Sequence, residues 1–349
     1  MPLVLFVDMD YYYAACEELR HPEAVGKPMI VGTGDTAAKM SGVVESCNYE
    51  ARKLDIRSAM PVAQALRINP DIIYIPADHD YYDRMSGRLM EILKAFGYRM
   101  EVISIDEAAV DLDSMSYEQG LVQGKRIKEE IRKTLRLPCT VGIADGKVLA
   151  KIVCDSAKPD GLKLVERKDI VQFLSEKSAD KIPGVGKKTA EKLEAIGIKT
   201  IGDIAKSDLV SLSSAVGSFG FELFQIANGI DESRIVEHYE TLSVGRERTL
   251  DATKDVQKIY LLLDELSEEV YREITKNGFR FRTVTAKARY SDFTDKIKSK
   301  TLGYWTDSPE ILKQTAKALI RELIEEKPIR KVGVRVSSLE MGNKQMKLF

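Results

Sequence analysis

The sequence predicts an α+β fold assembled from several domains, and three observations predict it. Short apolar runs of strand type alternate with helical periods through roughly the first 166 residues. From about residue 167 the pattern turns to small helices, and after an aperiodic stretch at 231–243 a new α+β alternation begins. The chain has 349 residues, more than one core usually serves, so two to four domains are expected.

The elements follow in order. Residues 3–7 form an unbroken apolar run, the mark of a strand buried on both faces, and the run ends at Asp8. Residues 11–20 read as a helix with Ala14, Ala15 and Leu19 on its apolar side. Residues 29–31 are a short strand ending at Gly32, and 61–68 a short helix stopping before Pro70. Met85, Leu89, Ile92, Leu93 and Phe96 fall at helical spacing within 81–97. The apolar runs 102–105 and 109–112 flank Asp106-Glu107 and predict two strands joined by a tight turn. A helix at 118–135 and a strand at 140–143 complete the first module. In the last module, Val256, Ile259, Leu263, Leu266, Val270 and Ile274 mark a helix. Val284, Ala286, Ala288 and Tyr290 alternate with polar residues as a half-exposed strand. Pro309 opens a second helix, and Val332, Val334 and Val336 alternate in a final strand.

Composition narrows the class. The hydrophobic fraction of 44% is ordinary for a globular protein, and no stretch approaches the roughly 20 apolar residues of a membrane span. The N-terminus carries no charged leader ahead of its strand-like run, so a cytoplasmic protein is expected. Cys16, Cys47, Cys139 and Cys154 are far apart and form no CxxC pair, which argues for buried thiols over zinc or disulfides. The net charge is −1, but it is unevenly placed. Residues 1–243 hold 31 Lys/Arg against 38 Asp/Glu, and residues 244–349 hold 22 against 16. A basic C-terminal module points to contact with a polyanion.

Several motifs carry chemistry. Asp8 and Asp10 end the first strand, and Asp106 and Glu107 sit between two others. A buried carboxylate is costly unless it is paired or binds a metal, so acids delivered to strand ends predict a hard-cation site. Adjacent strand residues face opposite sides, so Asp106 and Glu107 reach one cluster only at a bend. Two metals on such acids suit an in-line phosphoryl displacement. Taken one at a time, each acidic pair reads as a solvated loop; their shared placement is what favours metal. Tyr49 and Arg52 are i, i+3 neighbours if helical, a phenol and guanidinium placed to clamp a triphosphate, although a surface helix shows the same spacing. Lys158 precedes a proline and is a further phosphate candidate, against the ordinary reading of a solvated loop lysine. The run 182–193, with Gly184, Gly186, Lys187 and Lys188, resembles a helix-hairpin-helix that offers free backbone N–H groups to a DNA phosphate. It is not a nucleotide-binding P-loop, because Lys187 is followed by Lys188 instead of Ser or Thr. Residues 276–300 are strongly basic, with Arg280, Arg282, Lys287 and Arg289 among eight cations against Asp292 and Asp295, and a basic strand of this kind can follow a phosphate backbone without reading bases. The aromatics there (Phe279, Phe281, Tyr290, Phe293) are read as core. The last residues include Gln345, Leu348 and Phe349, either a plain tail or a docking peptide.

The set FVDMDYYYAA, NYEARK, SIDEA, AKPDG and IPGVGKKTAEKL, in this order and spacing, resembles the Y-family DNA polymerases, in particular the DNA polymerase IV-like, lesion-bypass branch. The likeness spans essentially the whole chain. It implies a right-hand polymerase: palm at 1–11 and 78–166, fingers at 12–77, thumb at 167–230, a linker at 231–243, a little finger at 244–341 and a clamp-binding tail at 342–349. It implies two Mg2+ ions, with Mn2+ as a substitute, on Asp8, Asp106, Glu107 and the Met9 carbonyl, while Asp10 belongs to the motif without being a ligand. Tyr13 falls at the steric-gate position that excludes a ribose 2′-OH. Tyr11, Tyr12, Tyr49, Arg52 and Lys158 match residues around the incoming dNTP. The hairpin residues, together with Arg246, Arg248, Arg280, Arg282, Lys287 and Arg289, would hold primer-template DNA. Gln345, Leu348 and Phe349 are similar to a sliding-clamp peptide. A monomer of low fidelity, without proofreading and without a membrane attachment, is implied. Glu45 departs from the small residues usual in the part that roofs the nascent base pair. The rival reading is a non-catalytic DNA-binding scaffold, which has no use for three gathered carboxylates. A cyclase-type palm needs no thumb hairpin, and a glycosylase leaves the N-terminal acids unexplained.

Overall fold

The computed structural model describes residues 2–33, 42–237, 240–324 and 327–342, and the chain divides into two units, residues 1–238 and 239–349. In chain order the first unit holds β1 (Leu3–Met9), α1 (Tyr12–Arg20), β2 (Met29–Gly32), β3 (Val44–Cys47), α2 (Tyr49–Arg52), α3 (Val62–Ile68) and β4 (Ile73–Pro76). It continues with α4 (His79–Ala95), β5 (Met100–Val102), β6 (Glu107–Asp111), α5 (Tyr117–Leu135), β7 (Cys139–Asp145), α6 (Lys147–Ala157) and β8 (Leu162–Leu164). Five helices close the unit: α7 (Ile170–Ser175), α8 (Lys187–Ala195), α9 (Ile201–Lys206), α10 (Leu209–Val216) and α11 (Phe219–Ala227). The second unit runs β9 (Ser243–Thr253), α12 (Val256–Lys276), β10 (Phe279–Tyr290), β11 (Asp295–Thr306), α13 (Pro309–Arg321) and β12 (Ile329–Met341).

Strand β1 is the middle of a five-stranded sheet ordered β5-β6-β1-β7-β8. Its apolar run is unbroken because both faces are covered. Leu3, Leu5, Val7 and Met9 pack under α4 and α5, while Val4 and Phe6 pack under α6 and the helical segment that follows. Helix α6 lies very close to the sheet. A Cβ on Gly142 of β7 would come within 2.2 Å of the Cys154 nitrogen, so only glycine allows that approach. Helix α5 starts at a reciprocal cap, Ser116 with Gln119, which the sequence reading placed one residue later. A small three-stranded sheet, β3-β2-β4, holds its own core of Ile30, Val44, Cys47, Ile56 and Val62. The second unit is a four-stranded antiparallel sheet, β11-β10-β12-β9, with α12 and α13 packed on one face only. Val284, Ala286, Ala288, Val332, Val334 and Val336 point into that core, as their alternation predicts.

Three expectations need correction. The run 102–105 is not a strand: β5 ends at Val102, and the Ile103 and Ser104 amides turn back to donate to the Glu107 carbonyl. Asp106 therefore sits in the turn, and Glu107 opens β6 rather than ending a strand. Residues 276–300 are not one basic strand but the hairpin of β10 and β11. Its aromatics are divided: Phe281 and Tyr290 are buried, whereas Phe293 is exposed beneath the Arg330 guanidinium. The aperiodic stretch after 230 is partly docked. Asp231 accepts from the Val148 and Leu149 amides at the start of α6, and buried Glu101 accepts from the Val236 amide and from Lys147. The cysteines are buried and unpaired, as expected. No helix among the described residues is long and apolar enough to cross a membrane. Gln345, Leu348 and Phe349 lie outside the described residues.

Candidate active site and nucleic-acid interface

The sheet register brings the acids together. Asp8 on β1 stands directly opposite Glu107 on β6, and the Met9 amide donates to the Asp106 carbonyl at 3.0 Å. Two carboxylates facing each other across a strand pair repel unless a cation intervenes. One does: Lys151 Nζ of α6 lies 2.6 Å from Asp8 Oδ2 and 2.7 Å from Glu107 Oε1. Lys158 Nζ takes the other Asp8 oxygen at 2.5 Å. Lys158 is thus a partly buried ion-pair partner and not a solvated loop lysine. Its loop is pinned by Lys128, which reaches the Asp160 carboxylate and carbonyl and the Gly161 carbonyl, and by Arg132.

Burial acts on each acid differently. It pushes the Asp8 carboxyl up, but the Lys151 and Lys158 ammoniums outweigh it and hold Asp8 below the usual carboxylate range. Glu107 is pushed up to about 7, first by burial and then by its contact with Asp8. Asp106 is raised by burial, against a hydrogen bond from Ser104 Oγ at 2.7 Å. Asp10 is fully buried and committed elsewhere, accepting from Thr140 Oγ1 at 2.9 Å and from the Asp160 amide at 2.7 Å. It ties the end of β1 to the Lys158 loop.

Among the described residues no three His, Cys, Asp or Glu side chains form a ready metal cage. The donor set nevertheless fits a hard divalent ion. It is all oxygen, it gathers at one end of β1 and β6, and it already holds positive charge on ammonium groups.

Beside the acids is a cavity of about 220 Å³ lined by Met9, the three tyrosines 11–13, Glu45, Arg52, Asp106 and Lys158 among others. Tyr12 is nearly buried and its hydroxyl donates to the Tyr82 carbonyl at 2.7 Å, so its ring serves the core. Tyr11 donates to Glu18 and meets the Tyr49 ring edge-on at 5.1 Å. The Tyr49 hydroxyl is buried with no hydrogen-bond partner, and burial followed by the Asp10 charge pushes it up to about 12. The Tyr49 ring touches Tyr11 and Arg52, which line the cavity, and an orphaned buried donor behind them is one that a phosphate oxygen would satisfy. Arg52 covers the Tyr49 ring at 5.0 Å, which places phenol and guanidinium together as their spacing predicts. Tyr13 stacks on Tyr82 at 4.3 Å and meets His79 edge-on at 5.9 Å. Glu45 lines the cavity with its side chain 16% exposed, 3.4 Å from His79, so it faces the pocket and not open solvent.

Sequence reasoning missed Lys151, Tyr82 and His79. Lys151 had a readable signal: it lies two helical turns before Lys158 and one turn before Asp155, on one face of a helix.

The hairpin forms as its glycines require. Gly184 has φ +91°, and Gly186 precedes α8, where Lys187 and Lys188 are exposed beside open backbone N–H groups. In the second unit, Lys287 and Arg289 lie on the sheet face without helices, paired with Glu247 and Asp295. Arg280 and Arg282 flank buried Phe281 and so share that face. Arg246 and Arg248 are directed elsewhere, to Glu273 and to Glu265 and Glu269 of α12.

Comparison with known proteins adds the family. Residues 7–155 match the impB/mucB/samB family, 241–348 match that family's C-terminal domain, and 180–231 match a DNA polymerase-iota thumb domain. The chain is 37% identical to DNA polymerase IV of Methanoculleus marisnigri over 342 residues, 97% of this chain and 95% of the relative. It is 36% identical to DNA polymerase IV 2 of Methanosarcina mazei, over 99% and 95% of the two chains. Among solved structures it is similar to a Y-family DNA polymerase chimera, Dbh-Dpo4(243-245)-Dbh, with TM-score 0.90 and 33% identity over 97% of this chain and all of that one. An insertion ternary complex of Dbh DNA polymerase matches with TM-score 0.69 and 33% identity over 96% and 98%. With acids, cavity and hairpin in one chain and these relatives along its whole length, the chain belongs to the Y-family DNA polymerases and is a divalent-metal-dependent, DNA-directed DNA polymerase of the translesion class.

Proposed function

We propose that this polymerase extends a primer at the cavity beside Asp8. The primer 3′-OH attacks the α-phosphate of a dNTP, a new O–P bond forms, the bond to the β-phosphate breaks, and pyrophosphate leaves. The observation that carries this reading is Asp8 opposite Glu107, with Asp106 in the adjoining turn and ammonium charge already between them. Two Mg2+ ions, or Mn2+ as a substitute, held by Asp8, Asp106, Glu107 and the Met9 carbonyl, would supply charge neutralisation for an in-line displacement. The chain's own residues do the rest. Arg52 and Lys158 bring positive charge to the triphosphate, and the free Tyr49 hydroxyl donates to one of its oxygens. The backbone at Tyr11 and Tyr12 bounds the triphosphate side, while the Tyr13 ring, backed by Tyr82, closes the space a 2′-OH would need. Glu45 roofs the pocket with a carboxylate braced on His79 and tunes base preference. Most of the acceleration comes from positioning and fixed charge.

The domain limits given by the sequence are proposed as functional parts: palm 1–11 and 78–166, fingers 12–77, thumb 167–230, linker 231–243, little finger 244–341 and tail 342–349. Primer-template DNA is gripped by Gly184, Gly186, Lys187 and Lys188 of the thumb and by Arg280, Arg282, Lys287 and Arg289 of the little finger. Arg246 and Arg248 would join them by exchanging α12 carboxylates for phosphates. Gln345, Leu348 and Phe349 would dock on a sliding clamp. The enzyme is proposed to act as a cytoplasmic monomer, with low fidelity and without proofreading. Primer extension with Asp106→Ala tests the reading. Loss of extension by about a thousandfold or more with DNA binding intact is expected, and full activity in that variant removes the metal assignment.

A further inference from the structure

Lys151 places its ammonium among three carboxylates and 5.2 Å from the centre of the Phe6 ring. Its ammonium bridges the two carboxylates that the sheet register sets opposite each other, at 2.6 Å and 2.7 Å. Asp8 is 2% exposed, so without a cation it would be an uncompensated buried charge. The same ammonium also touches Asp155, one helical turn further along α6, at 2.9 Å, and that carboxylate is 41% exposed. Lys151 thus has one partner set inside the site and one at its rim. Helix α6 is held tight on β7 by the close approach at Gly142, so the lysine stem starts from a fixed point.

We infer that Lys151 is a removable counter-cation: it neutralises Asp8 and Glu107 in the absence of metal, competes with the entering divalent ion for their oxygens, and keeps Asp155 alone of its three carboxylate partners once the ion is in place. The inference rests on the reading of Asp8, Asp106 and Glu107 as metal ligands. Its energetic content is a population tax, since the ion's apparent affinity is lowered by the fraction of molecules in which the ammonium occupies those oxygens. Lys151 is a positioning residue on this account. Asp155 sets how easily its ammonium leaves Asp8 and Glu107.

The test is Mn2+ titration of the full-length protein without DNA, following the free-ion electron paramagnetic resonance signal. Lys151→Met is expected to bind Mn2+ about tenfold more tightly than wild type, and to melt at lower temperature in chelator. Asp155→Asn is expected to bind several-fold more weakly, because Asp155 is one of three partners before the ammonium is displaced and the one that remains afterwards. The double variant should bind within about twofold of Lys151→Met, since Asp155 acts only through the lysine. Unchanged or weaker binding in Lys151→Met overturns the inference. Should that variant fail to fold, wild-type binding in Asp155→Asn overturns it instead. Asp106→Asn separates the two levels: if it binds Mn2+ as wild type does, the ligand assignment fails, and if it binds weakly while Lys151→Met gains nothing, only the counter-cation fails.

Discussion

At the end of β1 two carboxylates face each other under cover and hold lysine ammoniums, whereas on the open face of the β9–β12 sheet Glu247, Asp295, Lys287 and Arg289 pair in view of solvent. The chemistry is the same and the consequences differ. In the first region low exposure makes each charge dependent on its partner, and two of the acids are pushed toward protonation. In the second, water screens every pair, the ion pairs contribute little to stability, and a phosphate backbone can replace a carboxylate at small cost. The first region suits a site that must hold cations at fixed positions. The second suits a surface that must slide along a polyanion.

Substitutions at the two regions should separate by size of effect. Asp8→Asn leaves Lys151 and Lys158 short of a buried partner and should cost about 3 kcal/mol or more of metal-free stability in urea melts. Asp295→Asn should leave the midpoint unmoved, and equal effects at the two positions would break the comparison. Next in size, Tyr13→Ala should raise ribonucleotide incorporation by on the order of a hundredfold, read as the ratio of kcat/KM for rNTP and dNTP. Unchanged sugar discrimination removes Tyr13 as the gate.

A third effect is pH-dependent. The folded Glu107 carboxyl lies above its unfolded value, near 7 against 4.5, so its contribution to stability is present below about 4.5 and is lost as pH rises through 7. In chelator, the stability of wild type relative to Glu107→Gln should therefore fall between pH 5 and 8, by on the order of 2 kcal/mol. A difference that stays flat, or grows with pH, contradicts the assigned burial. The smallest effect belongs to the exposed sheet. Lys287→Ala and Arg289→Ala should each lower the slope of log K against log salt for DNA binding by about 1, with primer extension at low salt nearly unchanged.

The same contrast explains what was legible in the sequence. Buried elements announced themselves: β1 by an unbroken apolar run, α4 and α12 by apolar spacing, and β10 and β12 by alternation. Strand β11 did not, because residues 295–301 are exposed and, apart from Ile297, polar, and its register is set by β10, which no local pattern reports. β3, β4 and β8 are too short to carry a period. The acids and the Tyr49–Arg52 pair were readable because carboxylates that end apolar runs, and a phenol and guanidinium at i, i+3, stand out without knowledge of the fold. The spacing of Lys151 to Asp155 was readable, but its contact with Asp8 and Glu107 follows from α6 packing against β1, a tertiary fact. Likewise, the ring that backs Tyr13 comes from Tyr82, about seventy residues away in sequence.

The central claim is that Asp8, Asp106 and Glu107 hold the metals of nucleotidyl transfer. Anomalous diffraction from a crystal of the enzyme with primer-template, a non-hydrolysable dNTP and Mn2+ tests it most directly. The account predicts two Mn2+ peaks roughly 3.5–4 Å apart, bounded by those three carboxylates, with the Lys151 ammonium withdrawn from Asp8 and Glu107 and held by Asp155 alone. Peaks bound elsewhere, or a Lys151 still bridging Asp8 and Glu107 with no metal between them, would contradict it.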